Sequence, residues 1–131
     1  VIVGFIVNPI AGMGGPVGLK GTDGRGSLRA AIAEGAVKSA PARAVAALTG
    51  LRKMDLDLTF ITCSGEMGKE EMDAAGIAAR VVYKAEAMIT SGADTKKGVS
   101  AFLRDGAQMV VFVGGDGTAR DVMDALDRHI P

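Results

Sequence analysis

The sequence predicts an α/β domain in which a mainly parallel sheet carries helices on both faces, three layers in all. Two observations support this prediction. Four short apolar runs, Val1 to Val7, Leu56 to Cys63, Arg80 to Tyr83 and Gln108 to Val113, alternate with segments of helical pattern, as parallel strands joined by helical crossovers do. The first and last of these runs end in glycine-rich turns, where the backbone can turn sharply and approach a ligand closely. A length of 131 residues suits one domain with a single core.

Val1 to Val7, VIVGFIV, is an apolar strand that stops at Asn8 and Pro9, because proline cannot continue a ladder and asparagine bonds its own backbone. Asn8 to Gly26 reads as a long loop, a length that usually marks function or mobility. Ser27 followed by LRAAIAEGAVK reads as a capped helix, and Pro41 suits the first turn of a second helical run to about Arg52. After the strand Leu56 to Cys63, Ser64 opens a helix through Ala75 that Gly76 terminates. Arg80 to Tyr83 is the third strand, and Ser91 or Asp94 caps a helix ending near Gly106. Val110 to Val113 has the composition of a strand buried on both faces. Gly114 to Gly117 then turn the chain, and Thr118 opens the helical segment Ala119 to Arg128.

Several function classes are excluded by composition. Fifteen basic and fifteen acidic residues cancel, so no electrostatic footprint for nucleic acid or an anionic membrane exists. Aromatics at 4% are too few for base-stacking platforms. No apolar run approaches the roughly 20 residues that a membrane span needs. A single Cys63 excludes an internal disulfide and fits a reducing compartment, so the cytoplasm is expected. Nineteen glycines exceed the usual share of roughly 7% and gather in the motif loops.

The stretch Val110 to Thr118, VVFVGGDGT, reads as a phosphate site. A helix starting there presents unpaired N–H groups and a positive dipole end to an anion. Asp116 would repel a bare phosphate, so its expected uses are to hold a metal ion or to accept a proton. Gly114, Gly115 and Gly117 would let the backbone close on the ligand. Arg120, one turn into the helix, is the best placed of the candidate phosphate partners, ahead of Lys20 and Arg25. Asn8 could end its strand or contact a nucleotide, and Asp23 reads as a turn residue beside Gly24. Lys69, Glu70 and Glu71 read as an exposed helix face, Cys63 as a small buried hydrophobe, and the seven methionines as core filler. His129 stands alone near the chain end, and neither zinc spacing nor a Ser/His/Asp arrangement is present.

Taken together, the two turns resemble the superfamily of ATP-NAD kinases, diacylglycerol and sphingosine kinases and 6-phosphofructokinases, whose shared mark is GGDG after a strand. NPIAGMGG at Asn8 to Gly15, GLKGTDG at Gly18 to Gly24 and GGDGTARD at Gly114 to Asp121 look most like the archaeal and bacterial ATP-NAD kinase group. The resemblance implies the N-terminal, three-layer Rossmann-like domain of such an enzyme over residues 1–131, with a largely β second domain expected beyond Pro131. It implies ATP-dependent or polyphosphate-dependent phosphorylation of NAD at the 2′-hydroxyl of its adenosine ribose, with Mg²⁺. Asp116 would take the hydroxyl proton or help to place the metal. Gly114, Gly115, Gly117 and Thr118 would cradle phosphates, and the turn containing Asn8, Pro9, Gly12, Gly14 and Gly15 would close the other side. Nucleotide substrates and a homo-oligomer are the expected partners. A lipid or small-metabolite kinase on the same scaffold, or a nucleotide-binding module without catalysis, is the alternative.

Overall fold

The computed structural model describes residues 1–13 and 38–131. Its strands among the described residues are β1 (Ile2–Val7), β2 (Thr59–Cys63), β3 (Ala79–Tyr83) and β4 (Met109–Val113). Its helices among the described residues are α1 (Ala40–Arg52), α2 (Lys69–Ala74), α3 (Gly92–Arg104) and α4 (Asp116–Leu126), with a single 3₁₀ turn at Gly65–Met67. The strands form one sheet in the order β3-β2-β1-β4, and every pairing is parallel. The predicted α/β architecture with a parallel sheet flanked by helices is what the chain adopts.

Strand β1 sits inside the sheet and supplies both cores, because its side chains alternate between the two faces. Val3, Phe5 and Val7 pack with Ala40, Ala44 and Leu48 of α1 and with Met72 and Ala75 at α2. On the opposite face Ile6 packs with Val99 and Phe102 of α3 and with Val122 and Leu126 of α4. The buried stripes Ala40, Ala44, Leu48 and Thr118, Val122, Leu126 recur every four residues, the spacing that keeps one helix face toward a sheet. Helix α3 lies close to the sheet because two facing positions lack side chains. A Cβ at Gly4 would enter the Phe102 ring, and one at Gly98 would lie 2.7 Å from Cys63 Sγ and 2.9 Å from Ile6 Cδ1.

Local chemistry fixes the starts of two helices. Pro41 occupies the first turn of α1, as its missing N–H allows. Ser91 caps α3, where the Asp94 carboxylate accepts the Ser91 N–H at 2.9 Å and the Tyr83 hydroxyl at 2.7 Å, tying the helix start to the end of β3.

Five expectations are corrected. The helix expected from Ser64 through Ala75 is broken at Gly68, whose φ of +143° only glycine adopts without strain, so a 3₁₀ turn and a short α2 replace it. A Cβ at Gly68 would also collide with Thr62 Oγ1, which donates to Phe5 O at 2.7 Å. Helix α4 begins at Asp116 rather than after Thr118, and ends at Leu126, where Asp127 turns left-handed. Strand β4 stands at the end of the four-stranded order, so Val111 and Phe112 are exposed instead of buried on both faces. Glu71 is buried at 3% exposure despite its charged neighbours, because it shares the inward side of α2 with Met72. Finally, Met54, Met88, Met109 and Met123 are exposed, and only Met13, Met67 and Met72 fill the core. The helix expected after Ser27 and most of the loop Asn8 to Gly26 lie outside the described residues.

Candidate functional site

The strand order reverses its direction of growth at one place, between β1 and β4. From β1 the chain adds β2 and β3 on one side and then returns to place β4 on the other. Helix α1, which precedes β2, packs on one face of the sheet and α4, which follows β4, on the other, an arrangement that opens a crevice at the carboxyl ends of β1 and β4. The turn after β4 and the described part of the turn after β1, Asn8 to Met13, lie there.

The β4 turn is built around Thr118. Gly115 is the N-cap of α4 and offers no capping side chain, so the first N–H groups of the helix stay available to an anion. Asp116 follows as the first helical residue. It is exposed and forms no ion pair or hydrogen bond with any described residue. Thr118 points inward at 3% exposure, and a Cβ at Gly114 would collide with it. Gly114 therefore makes room for Thr118. Gly115 has no atom within 4 Å of a would-be Cβ, so packing does not require glycine there. Arg120 is exposed one turn further along α4.

The β1 turn is held by Asn8. Its backbone N–H donates to Val113 O at 2.9 Å, its carbonyl accepts from Ala11 N–H at 3.1 Å, and its side-chain Oδ1 accepts from Ile10 N–H at 3.3 Å. That last bond orients the amide, leaving Nδ2 to donate to Thr118 Oγ1 at 2.9 Å. One hydrogen bond thus joins two motifs that are 110 residues apart in the chain. Pro9 is buried, and Gly12 turns the chain with φ of +77°. Gly14, Gly15, Lys20, Asp23 and Arg25 lie outside the described residues.

Beside the β1 turn a cleft of about 440 Å³ opens over the carboxyl ends of β1, β2 and β3. Pro9, Ile10, Met67, Ala85, Met88 and Ile89 give it apolar walls, with Ser64, Thr90, Glu66 and Glu70 as polar groups. Its one cation among the described residues is Lys38, paired with Glu66 at 2.7 Å. Apart from Pro9 and Ile10 in the β1 turn, the sequence does not single these lining residues out as site candidates. The signal for them was their position directly after β2 and β3, since strand ends in parallel sheets line ligand crevices.

Electrostatics narrows the chemistry of this edge. Burial, with the Asp94 charge adding to it, pushes the Cys63 thiol up to about 12, so it stays protonated at neutral pH and supplies no nucleophile. Burial, then the hydrogen bond to Asp94, likewise pushes the Tyr83 hydroxyl up to about 12. Glu71, one residue beyond Glu70, is raised mainly by desolvation, and its Oε2 has no hydrogen-bond partner. Among the described residues no group of three or more His, Cys, Asp or Glu side chains could hold a metal ion. His129 is exposed at the far end of the chain.

Residues 3–131 match the family model described as the ATP-NAD kinase N-terminal domain. No curated protein and no solved structure matches the chain.

Proposed function

The chain belongs to the ATP-NAD kinase family through its N-terminal domain, and from that premise we propose that the full-length protein transfers the terminal phosphoryl group of ATP to the 2′-hydroxyl of the adenosine ribose of NAD. The observation that carries this reading is Asp116, an exposed carboxylate without a partner among the described residues, on the first turn of a helix whose N-cap is a glycine, at the crevice between β1 and β4.

Each part of the reaction has a group suited to it. The open N–H groups at the start of α4 favour the negative charge of the phosphates, and stabilisation of that charge is most of what phosphoryl transfer needs. Asp116 accepts the proton of the ribose hydroxyl as its oxygen bonds to phosphorus, while ADP departs with the electrons of the broken bond. The same carboxylate fits Mg²⁺, which commonly binds one or two carboxylates and takes its remaining oxygens from phosphates and water. When bound, that ion supplies charge neutralisation on the triphosphate.

The cleft beside the β1 turn supports a nucleoside triphosphate as donor in preference to polyphosphate. Its walls are largely apolar, and its carboxylates Glu66 and Glu70 outnumber Lys38, which Glu66 already neutralises. A nucleoside is uncharged and can occupy such a cleft. A polyanion would be repelled from it.

Asp116→Asn in the full-length protein is expected to lower kcat by about two orders of magnitude or more, the scale of losing a general base, with a smaller change in the KM for ATP. Coupled measurement of NADP formation checks this. Near-normal turnover by the variant would remove Asp116 from the chemistry.

A further inference from the structure

The hydrogen bond between Asn8 and Thr118 changes what those two side chains are for. Both occupy the ends of glycine turns, where polar side chains would ordinarily be taken as ligand contacts. Yet Thr118 is 3% exposed, and its Oγ1 receives Asn8 Nδ2 at 2.9 Å. The Asn8 Oδ1 is occupied as well, by Ile10 N–H at 3.3 Å. Gly114, directly before the turn, has no room for a Cβ because Thr118 fills the space. The backbone adds a second tie, since Asn8 N–H donates to Val113 O at 2.9 Å.

We propose that Asn8 and Thr118 are positioning residues: their side chains lock the β1 turn to the β4 turn and fix the spacing across the crevice, while the uncapped main-chain N–H groups at the start of α4 are left to meet the ligand. The inference rests on the phosphoryl-transfer reading of the site. In that setting the joint matters most when donor phosphate, acceptor hydroxyl and Asp116 must be aligned together. The start of α4 and the cleft beside the β1 turn do not themselves use this bond, so ground-state affinity should depend little on the joint. Loss of alignment by about 1 Å can cost up to about a hundredfold in rate.

The test uses the full-length protein with Asn8→Ala, Thr118→Val, Thr118→Ser and the double variant Asn8→Ala/Thr118→Val. Thr118→Val keeps the shape and removes the acceptor; Thr118→Ser keeps the acceptor. Expected are a fall in kcat of about tenfold to a hundredfold for Thr118→Val and for Asn8→Ala, KM values for ATP and NAD within about twofold, and recovery in Thr118→Ser. The double variant should be no worse than the worse single one, because both remove the same bond. Amide hydrogen exchange supplies a readout independent of activity. Asn8→Ala should speed exchange at residues 114–117, and Thr118→Val should speed it at residues 10–12. If the wild-type protein forms no NADP, the kinase reading fails and the exchange pattern alone decides the joint. A manyfold rise in KM confined to Asn8→Ala would make Asn8 a ligand contact and overturn the proposal, as would multiplicative losses in the double variant or unchanged exchange at the opposite turn.

Discussion

Glu71 shows how a single residue can depart from its local pattern. It stands in the run Lys69, Glu70, Glu71, which reads as a solvated face, yet α2 turns it inward with Met72. Desolvation raises its folded pKa above the ordinary carboxylate value of 4.5, and the charges of Glu70 and Glu66 add to the shift. The sign follows from that direction. A raised folded pKa means that the group's contribution is fully present below its unfolded value and is lost as pH rises through the folded one. Glu71→Gln cannot ionise, so its thermal stability should fall less than that of the wild type between about pH 5 and pH 8. Parallel melting curves across that range would show that Glu71 reaches a partner or solvent in the folded protein. The sequence left the burial of Glu71 hidden because a charge run reports composition, whereas burial depends on which side of a six-residue helix meets the sheet. Cys63 was legible for the opposite reason. A lone cysteine in an apolar strand has little to do but pack.

The turn between β4 and α4 is the element in which glycines can be separated by purpose. Sequence alone groups Gly114, Gly115 and Gly117 as one motif. In the structure Gly114 faces Thr118, whereas Gly115 faces open space with φ of −99°, a value any residue adopts. Gly114→Ala should therefore destabilise the fold by about 1–3 kcal/mol, the range for overpacking a filled site. Gly115→Ala should leave stability within about 0.5 kcal/mol of the wild type, as for an unstrained exposed position. If phosphate is held by the N–H groups at the start of α4, a methyl group at this N-cap would crowd it, and MgATP affinity should drop about tenfold, which is about 1.4 kcal/mol. Thermal melts and calorimetric titration of the two full-length variants separate these outcomes. Unchanged MgATP binding by Gly115→Ala would show that ligand does not reach that side of the turn. The position of the motif was readable because GGDG follows an apolar strand. The inward role of Thr118 was not, since it depends on Asn8, which only the tertiary fold brings near.

At the scale of the whole molecule, the parallel α/β class followed from the alternation of apolar runs with helical segments. Strand order did not. The sequence of β4 reads as interior, but the order β3-β2-β1-β4 leaves it beside a single strand, with Val110 N–H bonded to Pro131 O at 2.8 Å and Phe112 exposed. Local composition records what a strand can tolerate, and the connections decide where it lies. That order also creates the crevice in which Asn8 and Thr118 meet, at the turn from which α4 starts with Asp116. No helix among the described residues is long and apolar enough to cross a membrane. The most direct measurement supplies the full-length protein with γ-labelled ATP, Mg²⁺, NAD and a diacylglycerol, and identifies every labelled product. Label on the 2′-position of the adenosine ribose of NAD, lost in Asp116→Asn, is the predicted result. Label on the lipid instead, or tight ATP binding with no transfer to NAD, would contradict the account.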